Sequence, residues 1–151
     1  SSNVEENPLA TLVSGGLPKQ TGKISTLTFS EYQDRVNAYS LESIGYHILH
    51  NPINFVENES DILLEFDEGI TVLIENNTYL VKEIAVKHDY INETSYIFAN
   101  DLIMGIDPSI TTDQAYDILH PEVEGTIGKV LEFSIGQDLE NEHFSLLAVV
   151  N

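Results

Sequence analysis

Apolar positions in this chain repeat with two different periods, and the switches between them predict the elements. Ile24 to Phe29 alternates apolar and polar residues and predicts a strand. Ser30-Glu31-Tyr32-Gln33 has the form of a capping box, and Tyr32, Val36 and Tyr39 then follow helical spacing. Leu41, Ile44 and Ile48 predict a second helical stretch over Ser40 to Leu49, with a bend at Gly45 and a stop before Pro52. Three strands are expected next: Ile62 to Phe66, Ile70 to Ile74 and Tyr79 to Lys87. Asp67-Glu68-Gly69 turns between the first two, and Glu75-Asn76-Asn77-Thr78 leads into the third. Asp89 to Ile106 reads as an extended link with apolar segments Tyr96-Ile97-Phe98 and Leu102-Ile103-Met104. A second cap-and-glutamine signal, Thr111-Thr112-Asp113-Gln114, opens a short helix with Ala115, Ile118 and Leu119 on its buried stripe, closed by Pro121. Strands over Val130 to Ile135 and Phe144 to Val150 complete the pattern, separated by the acidic loop Gln137 to Glu142.

Two stretches repeat in the same order. Tyr46-His47-Ile48-Leu49-His50-Asn51-Pro52 precedes Leu63-Leu64-Glu65-Phe66-Asp67-Glu68-Gly69, and Tyr116-Asp117-Ile118-Leu119-His120-Pro121 precedes Val130-Leu131-Glu132-Phe133-Ser134-Ile135-Gly136. A period of about 70 residues is too long for a solenoid repeat but suits two copies of a small unit. The expectation is an α+β fold of two tandem helix-plus-antiparallel-three-stranded-sheet units sharing one core, residues 23–90 and 91–151. Residues 1–22, dense in Gly and Pro, are expected to form a leader or tether.

Charge changes the picture most. Twenty-five acidic residues oppose six basic ones, a net charge of −19. So few scattered cations exclude nucleic-acid binding through phosphates and argue against anionic membrane surfaces. A basic protein partner, steered by the long-range field, is the complement, although acidity also serves solubility alone. Cysteine is absent, so there is no disulfide framework or thiol nucleophile. No apolar run approaches the roughly 18 residues of a membrane span. An opening at Ser1-Ser2-Asn3 fits a removed export signal or an anchored cysteine upstream, so an exported location (periplasmic, envelope-tethered or secreted) is expected.

A helix closing on Leu49-His50-Asn51-Pro52 or Leu119-His120-Pro121, then a β-meander, in tandem, resembles the β-lactamase-inhibitory protein family. It also resembles the small lipoprotein of the outer-membrane β-barrel assembly machinery. Met104-Gly105-Ile106 followed by Thr111-Thr112-Asp113 is similar to the entry of those helices. Histidine replaces the family's glycine in both copies, and the second lacks one residue before its proline. The resemblance implies a non-catalytic, often exported protein-binding module that grips its partner with the outer sheet face.

Strand alternation nominates that face: Leu63, Glu65, Asp67, Leu73, Glu75, Val81, Glu83 and Glu132 are the expected partner-binding residues, unless Leu63, Leu73 and Val81 are covered by the neighbouring unit or by residues 1–29. Neither catalytic residues, a cofactor nor a metal is expected. Glu65 and Glu132 could act as an acid–base pair only if they converged. His47 and His50 are better read as helix-end residues than as metal ligands. Glu57–Asp61 and Asp138–Glu142 are oxygen-rich but lack the register and glycine of a calcium loop. Nucleophile and phosphate-loop motifs are missing. The leading expectation is an acidic inhibitor or immunity-type protein that neutralises a basic enzyme or toxin. Alternatives are an envelope-associated assembly accessory and a small carboxylate-dependent hydrolase.

Overall fold

The computed structural model describes residues 23–121 and 127–151, so the expected leader, 1–22, lies outside the described residues. Helix α1 (Phe29–Ile44) is capped two residues earlier than expected, by Thr28 rather than Ser30; the Thr28 side chain accepts the Glu31 N–H. It stops at Gly45, whose φ of 87° suits glycine and whose N–H returns to the Leu41 and Ser40 carbonyls. The predicted second helical stretch through Leu49 therefore does not form. Tyr46 to Pro52 is instead a loop stitched to α1 by side chains that imitate a backbone edge. Asn37 accepts from the Leu49 N–H (2.8 Å) and donates to its carbonyl (3.1 Å). Ser40 accepts from the Ile48 N–H, and Gln33, freed from any capping role, donates to the Leu49 carbonyl (2.7 Å). These bonds hold Ile48 and Leu49 in the core.

Four strands follow: β1 (Asn54–Glu57), β2 (Asp61–Glu65), β3 (Ile70–Glu75) and β4 (Val81–His88). The segment expected to be an extended link is mostly a helix, α2 (Glu93–Met104), capped by the Asn92 side chain. Helix α3 (Thr112–Leu119) has the predicted capping box, with Thr111 and Gln114 bonded reciprocally. Strands β5 (Gly128–Val130), β6 (Phe133–Asp138) and β7 (Phe144–Val150) end the chain. The strand expected over Ile24 to Phe29 reduces to an isolated bridge from Thr28 to Leu80.

All seven strands form one antiparallel sheet in the order β1-β2-β3-β4-β7-β6-β5. One face packs on the helices around a single core that includes Tyr32, Val36, Phe98, Leu102, Ile84 and Phe144. Four strands precede α2 and three follow α3, rather than three and three. The two similar stretches also sit differently: Leu63 to Phe66 runs along β2 into its turn, whereas Leu131-Glu132 is the turn between β5 and β6. Among the helices, α1 and α2 approach closely at Gly105, where a Cβ would meet Val36 and Tyr32. The Tyr32 hydroxyl donates to the Leu102 carbonyl at 2.7 Å, and burial beside Asp101 raises its pKa well above the ordinary value. His88 is buried at the other end of the sheet. A carbonyl can only accept, so its Nε2–H donates to Glu68 O (2.7 Å) and Nδ1 accepts from the Ser95 hydroxyl (2.7 Å). That ring ties the β2–β3 turn to the first turn of α2.

Candidate functional site

The face of the sheet away from the helices is built from cross-strand rows. Val56, Leu63, Leu73, Glu83 and Val149 occupy one row, and Asn54, Glu65, Thr71, Ala85 and Leu147 the next. Parity alone cannot place β4 on it, because the strand carries a bulge. Leu73 pairs with Glu83 and Ile74 with Val81, so Lys82 is an extra residue. Val81 consequently joins the helix-side core, not the outer face where simple alternation put it.

Three more of the expected contact residues are inaccessible. Leu63, Leu73 and Glu83 are on the outer face but only 5%, 3% and 4% exposed. Alternation specifies which way a side chain points, not how deep its row lies, so these four are corrected from docking residues to buried ones. Asp67 is exposed, while Glu65, Glu75 and Glu132 are half-buried. Glu75 is engaged in its own turn: Oε1 accepts from Thr78 N–H (2.8 Å), Thr78 Oγ1 (2.7 Å) and Asn77 N–H, and the Thr78 bonds hold its pKa below the usual carboxylate range. Glu132 accepts from Thr26 Oγ1 at 3.4 Å.

Glu83 belongs to a buried charged cluster that the alternation did not reveal. Lys82 Nζ lies 2.7 Å from Asp61 Oδ1, with both side chains almost wholly buried. Glu83 Oε2 is buried without a hydrogen-bond partner. Desolvation pushes the Glu83 pKa up to about 7; Lys82 opposes that shift and Asp61 reinforces it. The same cause, burial, lifts Asp101 between α1 and α2 to about 6, partly offset by the Ser43 hydroxyl that donates to it at 2.7 Å.

An accessible part of this face lies at the β2–β3 turn. A concavity of about 380 Å³ opens there, lined by Ile53, Glu65, Thr71, Ala85 and Lys87 among others, with Asp67 and Glu68 on the turn itself. Three acidic residues, Glu65, Asp67 and Glu68, and one basic residue, Lys87, thus border a partly apolar concavity. The turn is held by unusual backbone: Glu68 and Gly69 have φ of 68° and 73°, and a Cβ at Gly69 would collide with the Lys87 carbonyl. Next to the concavity, β1 forms the sheet's edge and is exposed on both sides, with Ile53 at 64%, Phe55 at 60% and Val56 at 40%. β1 is not among the strands that alternation predicts; its sequence signal is a short apolar cluster directly after Pro52, a residue compatible with sheet edges.

Glu65 and Glu132 are not brought together. Glu65 closes β2 and Glu132 just precedes β6, a strand that runs in the same direction four strand spacings away, so the two stand at opposite ends of the sheet and about 19 Å apart across it. The rings of His47 and His50 are 6.1 Å apart in the exposed loop after α1. Among the described residues, no group of three or more His, Asp or Glu side chains is placed to hold a metal ion. No helix among them is long and apolar enough to cross a membrane. Comparison of the chain with protein families, curated proteins and solved structures returns no match.

Proposed function

We propose that this chain is a non-enzymatic, acidic protein-binding module that neutralises a basic enzyme or toxin. The observation that carries the reading is that Glu65, Asp67 and Glu68 all border an open, partly apolar concavity, on a chain of net charge −19. Of the six basic residues, Lys82 is committed to Asp61 and Arg35 lies 3.5 Å from Glu31, so little positive charge offsets the field. Such a surface gives fast, salt-sensitive association with a cationic, partly apolar patch. The test is capture from a native extract with the wild-type chain and with the charge-neutral Glu65→Gln/Asp67→Asn/Glu68→Gln variant. A stoichiometric basic protein held by the first and lost by the second supports the reading. No retained basic protein at low salt overturns it.

We further infer that the architecture consists of two joined helix-plus-meander units, 23–90 and 91–151. The support is the antiparallel pairing of β4 with β7, each the last strand of its half, which makes the sheet order nearly symmetrical about that seam. Native-state hydrogen exchange tests this. Opening of β1–β4 and of β5–β7 as separate blocks agrees with it, and a single global opening contradicts it.

A further inference from the structure

Sheets normally protect their edges with lysine, proline, bulges or a covering element, because an open strand offers unpaired N–H and C=O groups to any other chain. Among the described residues, β1 has little of this protection. The bond from Asn58 N–H to the Asp61 carbonyl closes the β1–β2 hairpin. Alternation from that bond turns the Asn54 and Val56 peptide groups toward β2 and those of Phe55 and Glu57 outward. The side chains flank the open edge with apolar surface on both sides, Phe55 beside Leu64 on one face and Val56 beside Leu63 on the other. Acids predominate around them: Glu57 and Glu59 at one end, and Glu65, Asp67 and Glu68, with Lys87 as the basic residue of the concavity, at the other. A second copy of this chain would bring the same carboxylates and another −19 of charge to the seam. A cationic strand would instead find each of them complementary.

We propose that the open edge of β1 seats an extended segment of a basic protein, added as an eighth strand, with alternate apolar and Arg or Lys side chains. The main-chain bonds form at Phe55 and Glu57. An apolar side chain of the incoming strand continues the Phe55 face, and a cationic one beside Asn54 reaches the carboxylates of the concavity. The inference rests on the reading that the partner is basic and adds the place and mode of its docking.

The full chain is titrated with a peptide of roughly eight residues alternating arginine and valine, and with glutamate–valine and proline-interrupted controls. Expected are binding at least about tenfold tighter than either control and slowed exchange of the Phe55 and Glu57 amide protons. Phe55→Pro removes one outward N–H without touching the β2 ladder and should abolish binding; Phe55→Glu, which leaves the backbone intact, should weaken it if the proline variant fails to fold. Binding that leaves those two amides unprotected and survives both substitutions overturns edge docking while leaving the acidic-module reading standing. So does a concentration-dependent dimer of the chain alone, seen by sedimentation and lost in Phe55→Glu, since the occupant would then be a second copy. No preference for the cationic peptide at low salt also overturns the proposal; the capture experiment above decides the broader reading separately.

Discussion

Replacing Glu83 by glutamine should make this protein more stable, increasingly so as the pH rises from about 5 to about 8. The carboxyl is buried beside an ion pair already complete, so its ionisation leaves uncompensated negative charge in the sheet. Its folded-state pKa, about 7, lies above the ordinary value of 4.5. Between those values the folded chain holds a proton that the unfolded chain has released, so stability falls as pH rises. Integrating the two titrations from pH 5 to pH 8 gives a loss of about 2–3 kcal/mol from this single group. Urea unfolding of wild type and Glu83→Gln at both pH values isolates it, because the general repulsion among the other acids is shared and cancels in the difference. The variant should match wild type within about 1 kcal/mol at pH 5 and exceed it by about 2–3 kcal/mol at pH 8. Parallel pH profiles for the two proteins would refute the argument, since they would show that Glu83 ionises freely in the folded state.

Removing the other side of the same cluster has the opposite sign. Asp61→Ala removes the carboxylate paired with the buried Lys82 ammonium and should cost about 3–5 kcal/mol by urea unfolding. Gly105→Ala inserts a methyl group against Val36 and, at 2.9 Å, against Tyr32 Cε1, forcing α1 and α2 apart; a loss of about 1–3 kcal/mol is expected in the same assay. Gly69→Ala combines a positive φ with a collision at the Lys87 carbonyl, and should cost about 2 kcal/mol or more in thermal unfolding. Asp101, also raised by burial, is expected to titrate near pH 6 by carbon-13 NMR, and Ser43→Ala should raise it further because a bond favouring the charged form is lost.

Much of the sheet was legible because its strands follow simple chemistry. Asp67-Glu68-Gly69 marked the β2–β3 hairpin, and the apolar run Phe144 to Val150 is a central strand buried on both faces. The capping box at Thr111 fixed the start of α3. Helix α2 was misread because Tyr96-Ile97-Phe98 and Leu102-Ile103-Met104 look like strand triplets when taken singly. Phe98, Leu102 and Ile103 of these triplets, with Ala99 between them, fall at helical spacing behind the Asn92 cap, a signal present but outweighed by local β-propensity. The helix predicted through Leu49 failed for a tertiary reason: Gly45 ended α1, and Asn37 and Ser40 supplied the backbone bonds that continued helix would have made. The expected docking face was partly wrong because one inserted residue, Lys82, shifts the parity of β4, and no single-chain pattern announces a bulge. β1 escaped notice because four residues are too few for alternation to stand out.

The central claim, that this acidic surface exists to receive a basic protein, is tested most directly by measuring the captured partner's association rate against salt for wild type and for the Glu65→Gln/Asp67→Asn/Glu68→Gln variant. The account predicts a steep fall in rate with rising salt for wild type, and a slower, flatter dependence for the variant. Equal rates and equal salt slopes for the two proteins would contradict it.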